Sequence, residues 1–255
     1  MQIRIFDSTE ECLWATAWQF IEAATSRPET LIGMATGSTT KPVHGMIADF
    51  YQKHPFDTSR ITTLNVDDYL GIANDHPASA SARMKEQLYD ALSIPPDRGI
   101  TPDCMPESEQ AECDRLEQLI MEKGGIGLQI LGVGADAHLG FCVPGTPFGN
   151  RTYVAQISSV LRGNMMKNYG MSDEEVPTTG ITLGLKTIMQ CEKPVCVVTG
   201  LGKAEAVANS ILGPVTEEVP ASILQLHRNT VWYLDKAAAE GIAGKVDERG
   251  ILLDA

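Results

Sequence analysis

The stretch GLQILGVGADAH, residues 127–138, begins as an apolar run and ends in glycines and polar side chains. Leu128, Ile130, Leu131 and Val133 crowd the run, as expected of a strand buried on both faces. PVCVVTG, residues 194–200, has the same character and the same glycine boundary. Such strands belong in the middle of a parallel sheet with helices packed on each side.

Working outward, shorter runs alternate with helical periodicities. IRIF (3–6), LIGMAT (31–36), ITTLNV (61–66) and TVWYLD (230–235) read as strands. Ser8 and Glu11 have capping-box spacing, and Leu13, Ala17, Phe20, Ile21 and Ala24 follow as a helical stripe. Val43, Met46, Ile47 and Phe50 predict another helix, with Pro42 suited to its first turn. Further helices are expected over 81–92, 108–123 and 202–212. The prediction is one α/β domain over 1–255: a mainly parallel, doubly wound, Rossmann-like sheet with helices on both faces. Residues 145–180, rich in Gly, Asn, Ser and Thr, break the alternation and are expected to form a mobile, irregular lid.

Composition narrows the function. A net charge of −13 argues against nucleic acid, which needs a clustered basic surface. No apolar run is long enough to cross a bilayer, and the N-terminus lacks a signal-like core. Six cysteines without a CxxC pair read as free thiols, so a cytoplasmic location is expected. Five histidines, none in a His/Cys cluster with metal spacing, give no metal site, and no cofactor is expected.

Ligands of doubly wound sheets lie beyond the carboxyl ends of the strands, and four such ends here are polar. In ATGSTTKP, Gly37, Ser38 and Thr39 offer backbone N–H groups and hydroxyls at a helix start, which suits phosphate or merely caps the helix. In TLNVDDYLG, Asp67 and Asp68 follow a buried strand. Adjacent carboxylates point to different sides, so at most one enters a shared cleft. Asp136 and His138, two residues apart in the glycine loop, form an acid/base pair or cap a turn. In VVTGLGKAEAV, Lys203 opens a helix and can meet a phosphate oxygen, or stand as an ordinary surface lysine. The run lacks the full glycine fingerprint of a dinucleotide site, and the chain has no Walker A sequence. Phosphate donors, a carboxylate, a His and a Lys, each after its own strand, together suit a small phosphorylated substrate undergoing proton transfer.

Taken in order, TGST, NVDDY, LGVGADAHLGF, ITLG (181–184), VTGLGKAEAV and VPASILQLH (219–227) resemble the glucosamine/galactosamine-6-phosphate deaminase–isomerase family over roughly the whole chain. The resemblance implies isomerisation of an amino-sugar 6-phosphate with loss of ammonia. It implies that Asp67 moves the proton between C2 and C1 and that His138, with Asp136, assists ring opening. Phosphate would be held by Gly37, Ser38, Thr39 and Lys203, with Lys167 from the lid and Arg162 as its rival. The expected partner is a small-molecule sugar phosphate, with a homo-oligomer allowed.

The chain departs from that family at one place. Deaminases carry F-N-E-P after the His loop, where Glu partners the His; here the residues are Phe141-Cys142-Val143-Pro144. Val cannot accept a hydrogen bond. Three readings stay open: Asp136 alone orients His138, the substrate differs, or the protein senses a sugar phosphate without turning it over. A 6-phosphogluconolactonase-like hydrolysis is the remaining alternative. Tyr153 and Ala155 stand where some members carry basic residues for an allosteric sugar phosphate, with Arg151 nearby.

Overall fold

The computed structural model describes residues 1–247 and 251–253. The strands are β1 (Gln2–Phe6), β2 (Leu31–Met34), β3 (Thr62–Asn65), β4 (Asp67–Tyr69), β5 (Gly99–Ile100), β6 (Ile126–Gly132), β7 (Tyr153–Gln156), β8 (Thr179–Thr182), β9 (Pro194–Val198) and β10 (Val231–Asp235). Seven form a wholly parallel sheet in the order β1-β10-β9-β6-β2-β3-β5. The chain runs outward from β2 through β3 to β5, and from β6 through β9 to β10. The switch point therefore lies between β2 and β6.

The helices are α1 (Thr9–Ser26), α2 (Thr40–Lys53), α3 (Ala80–Met84), α4 (Asp90–Leu92), α5 (Glu109–Glu122), α6 (Ser159–Tyr169), α7 (Leu185–Met189) and α8 (Ala204–Leu212). The expected capping box is present: Ser8 accepts from the Glu11 backbone, and Glu11 reaches back to the Ser8 backbone. A π turn, Lys85–Tyr89, joins α3 to α4.

Alternating strand residues feed two cores, one on each face of the sheet. Ile32, Ile130, Val195 and Val197 pack with Leu13 and Phe20 of α1 and Val43 and Ile47 of α2. Leu31, Leu131, Cys196, Trp232 and Leu234 pack on the other face with Leu116 of α5, Ile188 of α7 and Val207 and Ile211 of α8. This is the doubly wound arrangement that two-faced apolar runs demand.

Residues 145–180 are more regular than expected. β7 and β8 join β4 in a small antiparallel sheet of order β4-β8-β7, and α6 lies between them in sequence. β7 and β8 span only four residues each, too few for the alternation to show. A third apolar cluster under this sheet includes Tyr69, Phe141, Ala155 and Met165. Among the described residues, no helix is long and apolar enough to cross a membrane. All six cysteines are buried free thiols.

Candidate active site

A cavity of about 410 Å³ opens at the carboxyl ends of β2, β3, β6 and β9, over the switch point. Gly37, Ser38, Thr39, Asp67, His138 and Lys203 all line it. Four segments distant in sequence thus meet because their strands are neighbours.

On one side, the residues after β2 turn directly into α2. Thr39 occupies the N-cap position in helical conformation, and its side chain makes no capping hydrogen bond. The first N–H groups of α2 are therefore not capped by Thr39 and suit an anion. Across β6, Lys203 ends the 3-10 turn Leu201–Lys203. That turn is anchored by Asp235, which accepts from Gly200 N at 3.0 Å and Ala238 N at 2.8 Å. Burial pushes the Lys203 ammonium below its ordinary pKa, and the Asp136 charge opposes the shift.

Asp67 and Asp68 divide as the alternation of a strand requires. Asp68 accepts from Tyr69 N, Ala80 N and Ser81 N, and so anchors the start of α3. Asp67 faces the cavity and is 8% exposed. Burial raises its pKa to about 7; the Arg83 charge lowers it, Asp68 raises it and His138 lowers it. A carboxylate poised near neutrality is suited to general-base work.

The glycine loop sets the third group. Asp136 Oδ1 accepts from His138 Nδ1 at 2.6 Å and from His138 N at 3.2 Å. The hydrogen bond from His138 holds Asp136 at about 2. With Asp136 ionised, Nδ1 carries the shared proton and Nε2 is left for chemistry. Ala137, between them, takes a left-handed φ of 65°, a strained conformation for a residue with a Cβ. Its carbonyl accepts from Ala221 N at 3.0 Å, so the segment VPASILQLH buttresses this loop from the 3-10 helix Pro220–Leu226. A Cβ on Gly134 would lie 2.1 Å from His138 Nδ1, so only glycine lets the imidazole sit there.

Val143 is half-buried and is not among the residues lining the cavity. The Cys142 thiol is buried and donates to Leu183 O at 3.4 Å. The partner of His138 is Asp136, not position 143.

Two residues singled out from sequence stand apart. Lys167 is exposed on α6 and does not line the cavity, although Leu161, Asn164, Met165 and Asn168 of α6 do. Arg162 pairs with Asp173 at 2.8 Å. Asp136 borders the cavity through His138 rather than lining it. Sequence reasoning missed Arg83 and Tyr69, both in the lining. A lone Arg in a helical segment reads as a solvated charge, so no sequence signal marked Arg83.

The fold and cavity define a doubly wound α/β protein with a carboxylate, an Asp–His pair and a half-buried lysine at its switch point. Residues 8–232 match the family described as glucosamine-6-phosphate isomerases/6-phosphogluconolactonase, and the chain belongs to that family. It is 33% identical over 240 residues to a glucosamine-6-phosphate deaminase of Clostridium botulinum, covering 94% of this chain and 98% of the relative. It is 36% identical over 242 residues to glucosamine-6-phosphate deaminase 2 of Bacillus subtilis, covering 94% and 97%. Among solved structures, a monomeric glucosamine-6-phosphate deaminase superposes with a TM-score of 0.89 at 30% identity, over 94% of this chain and all of that one. A 6-phosphogluconolactonase of Trypanosoma brucei shares the fold, with a TM-score of 0.75 at 20% identity over 95% and 98%.

Proposed function

We propose that the protein isomerises and deaminates a hexosamine 6-phosphate such as glucosamine 6-phosphate, releasing fructose 6-phosphate and ammonia. The observation that carries this is the buried Asp67 carboxylate, raised to about 7 by burial, in one cavity with His138 and Lys203. The relatives at 33% and 36% identity, named as deaminases, support the same reading.

In this proposal phosphate rests on the turn at Gly37, Ser38 and Thr39 and on Lys203. Lys167 joins them when α6, the core of a lid over about 145–180, closes. His138 Nε2 takes the proton of the C1 hydroxyl and gives one to the ring oxygen, which opens the ring to an aldehyde. Asp67 then removes the proton on C2, and the C2–H electrons form the C1–C2 double bond. Returning that proton to C1 leaves an iminium at C2, while the nitrogen gives up one proton and O1 gains one. Water adds to C2 and ammonia leaves. Asp136 holds the imidazole in the tautomer this needs, the part that Glu plays after the loop in the family. No cofactor enters these steps. One domain, 1–255, supplies every group named, and six free thiols suit a cytoplasmic setting.

The test is turnover of glucosamine 6-phosphate by the pure protein, read as ammonia and ketose together. Binding without turnover or exchange at C2 would leave a sensor. Turnover of 6-phosphogluconolactone, undiminished by Asp67→Asn, would select the lactonase reading instead.

A further inference from the structure

Arg83 sits on α3 and lines the same cavity as Asp67. Its Nε donates to Ser79 O at 3.2 Å, which ties the base of the guanidinium to the start of its own helix. Among the described residues its two terminal nitrogens make no hydrogen bond, and no carboxylate pairs with it. The other arginines that reach into the folded chain are engaged: Arg115 by Glu112, Arg151 by Glu117 and Arg162 by Asp173. An arginine held at one end, with a free fork facing a cavity, is a ready donor to an anionic oxygen.

Its place along the sheet says which oxygen. Lys203 follows β9 and Asp67 follows β3, and β9, β6, β2 and β3 are consecutive neighbours. Three strand spacings separate the two ends by roughly 14 Å. A hexose phosphate anchored at Lys203 and running past the Gly37–Thr39 turn, which follows β2 beside β3, would bring its C1–C2 end toward Asp67 and Arg83.

We propose that Arg83 is a catalytic residue of this site: its guanidinium takes up the negative charge that proton abstraction by Asp67 places on O1. This rests on the hexosamine 6-phosphate reading above. When the C2–H bond breaks, its proton goes to Asp67 and its electron pair forms the C1–C2 double bond. The carbonyl π pair moves onto O1, where Arg83 donates two hydrogen bonds to it. Arg83 keeps its own protons throughout, and the proton O1 finally gains comes by way of His138 from the substrate nitrogen. A pre-placed donor to a developing oxyanion acts on the transition state more than on the ground state, so its loss falls on kcat.

The same cation bears on the base. The titratable groups facing Asp67 are Arg83 on α3, Asp68 and Tyr69 on β4, and His138 and Cys142 on the loop after β6. β8 brings Thr182, which carries no charge. Of these, Arg83 is the strongest influence holding Asp67 down against burial.

The experiment compares wild type, Arg83→Met and Arg83→Lys on glucosamine 6-phosphate. It reads kcat, KM, deuterium exchange at C2 and the pH profile, after thermal melts confirm that each variant is folded. Arg83→Met should lose about 10²-fold in kcat and in C2 exchange, with KM within about threefold of wild type. The acidic limb of its kcat/KM profile should move to higher pH. Arg83→Lys keeps the charge, so it should leave the limb in place and recover part of kcat. A rise in KM alone, or an unmoved limb with kcat within about threefold, would overturn the assignment. Wild type inert toward hexosamine 6-phosphates would instead sink the functional reading on which it rests.

Discussion

Asp67 is a carboxylate in a place that disfavours its charge, and this couples activity to stability. Its folded pKa is raised to about 7 by burial. In the unfolded chain it titrates near 3.9. The folded state thus holds the proton more tightly. The stability linked to that proton is fully present below about pH 4 and is lost as pH rises through about 7, a difference of up to about 4 kcal/mol. Asp67→Asn should abolish ammonia release and C2 exchange, yet melt higher than wild type at pH 8. The advantage should shrink toward pH 4. Wild-type kcat/KM should fall tenfold per unit below about pH 7 as the base is protonated. Denaturant titrations and rate profiles on the two proteins would check both, and an active Asn variant would refute Asp67 as base. Val143 yields the opposite expectation. It lies outside the cavity lining, and the Nδ1 of His138 is already engaged by Asp136. Val143→Glu should therefore leave kcat within about threefold of wild type, a small part of the 10²–10⁴ credited to acid–base partners. A tenfold gain would mean that a carboxylate at 143 still reaches the imidazole.

At the scale of elements, α6 is lightly tied to the rest for its length. Met165 is its only buried residue, whereas α1 buries seven. Few buried contacts mean a low local opening free energy. Cavity-lining Leu161, Asn164, Met165 and Asn168 share one face, and Lys167 lies roughly 120° round the helix from it. For Lys167 to meet phosphate, α6 must turn or close. Backbone amides of α6 should exchange with solvent faster than those of α1 and slow at least tenfold when a hexosamine 6-phosphate is bound. Lys167→Ala should raise KM several-fold at unchanged kcat, as loss of one charged phosphate contact would. Unchanged KM together with unchanged exchange would leave phosphate to Lys203 and the Gly37–Thr39 turn alone. The elements also show what was readable in advance. β2, β6 and β9 announced themselves because strands buried on both faces carry apolar runs, and β3 through the β-branched and apolar residues of ITTLNV. β7 and β8 did not, since a four-residue strand has too few alternations to show a period. Gly37, Ser38, Asp67, His138 and Lys203 were legible because each follows a legible strand. Arg83 was not, because its place at the cavity depends on how α3 is anchored by Asp68, a contact between separate elements.

For the whole molecule, control is the open property, and the residues around β7 bear on it. The sequence resemblance puts Tyr153 and Ala155 where an allosteric sugar phosphate would meet basic residues in some deaminases. Tyr153 places its hydroxyl 3.5 Å from Thr146, and Ala155 is buried in the cluster under the small sheet. The nearby cation, Arg151, is spent on Glu117 at 2.9 Å, and Glu117 also accepts from Thr152 N and from the hydroxyls of Thr152 and Thr187. Freeing Arg151 for a phosphate would strand a half-buried carboxylate that organises three other groups. Cooperativity needs a second site or a second global state that ligands distinguish, and around β7 Tyr153 and Ala155 carry no charge and Arg151 is already paired with Glu117. Velocity against glucosamine 6-phosphate should therefore follow a hyperbola with a Hill coefficient of about 1. Adding a second, non-reacting sugar phosphate should only compete with substrate, raising apparent KM and never raising velocity at low substrate. A sigmoidal curve that this additive straightens would show that a regulatory phosphate site exists without Tyr153 and Ala155 being basic. Arg151→Ala would then decide whether the Arg151–Glu117 pair opens to form it.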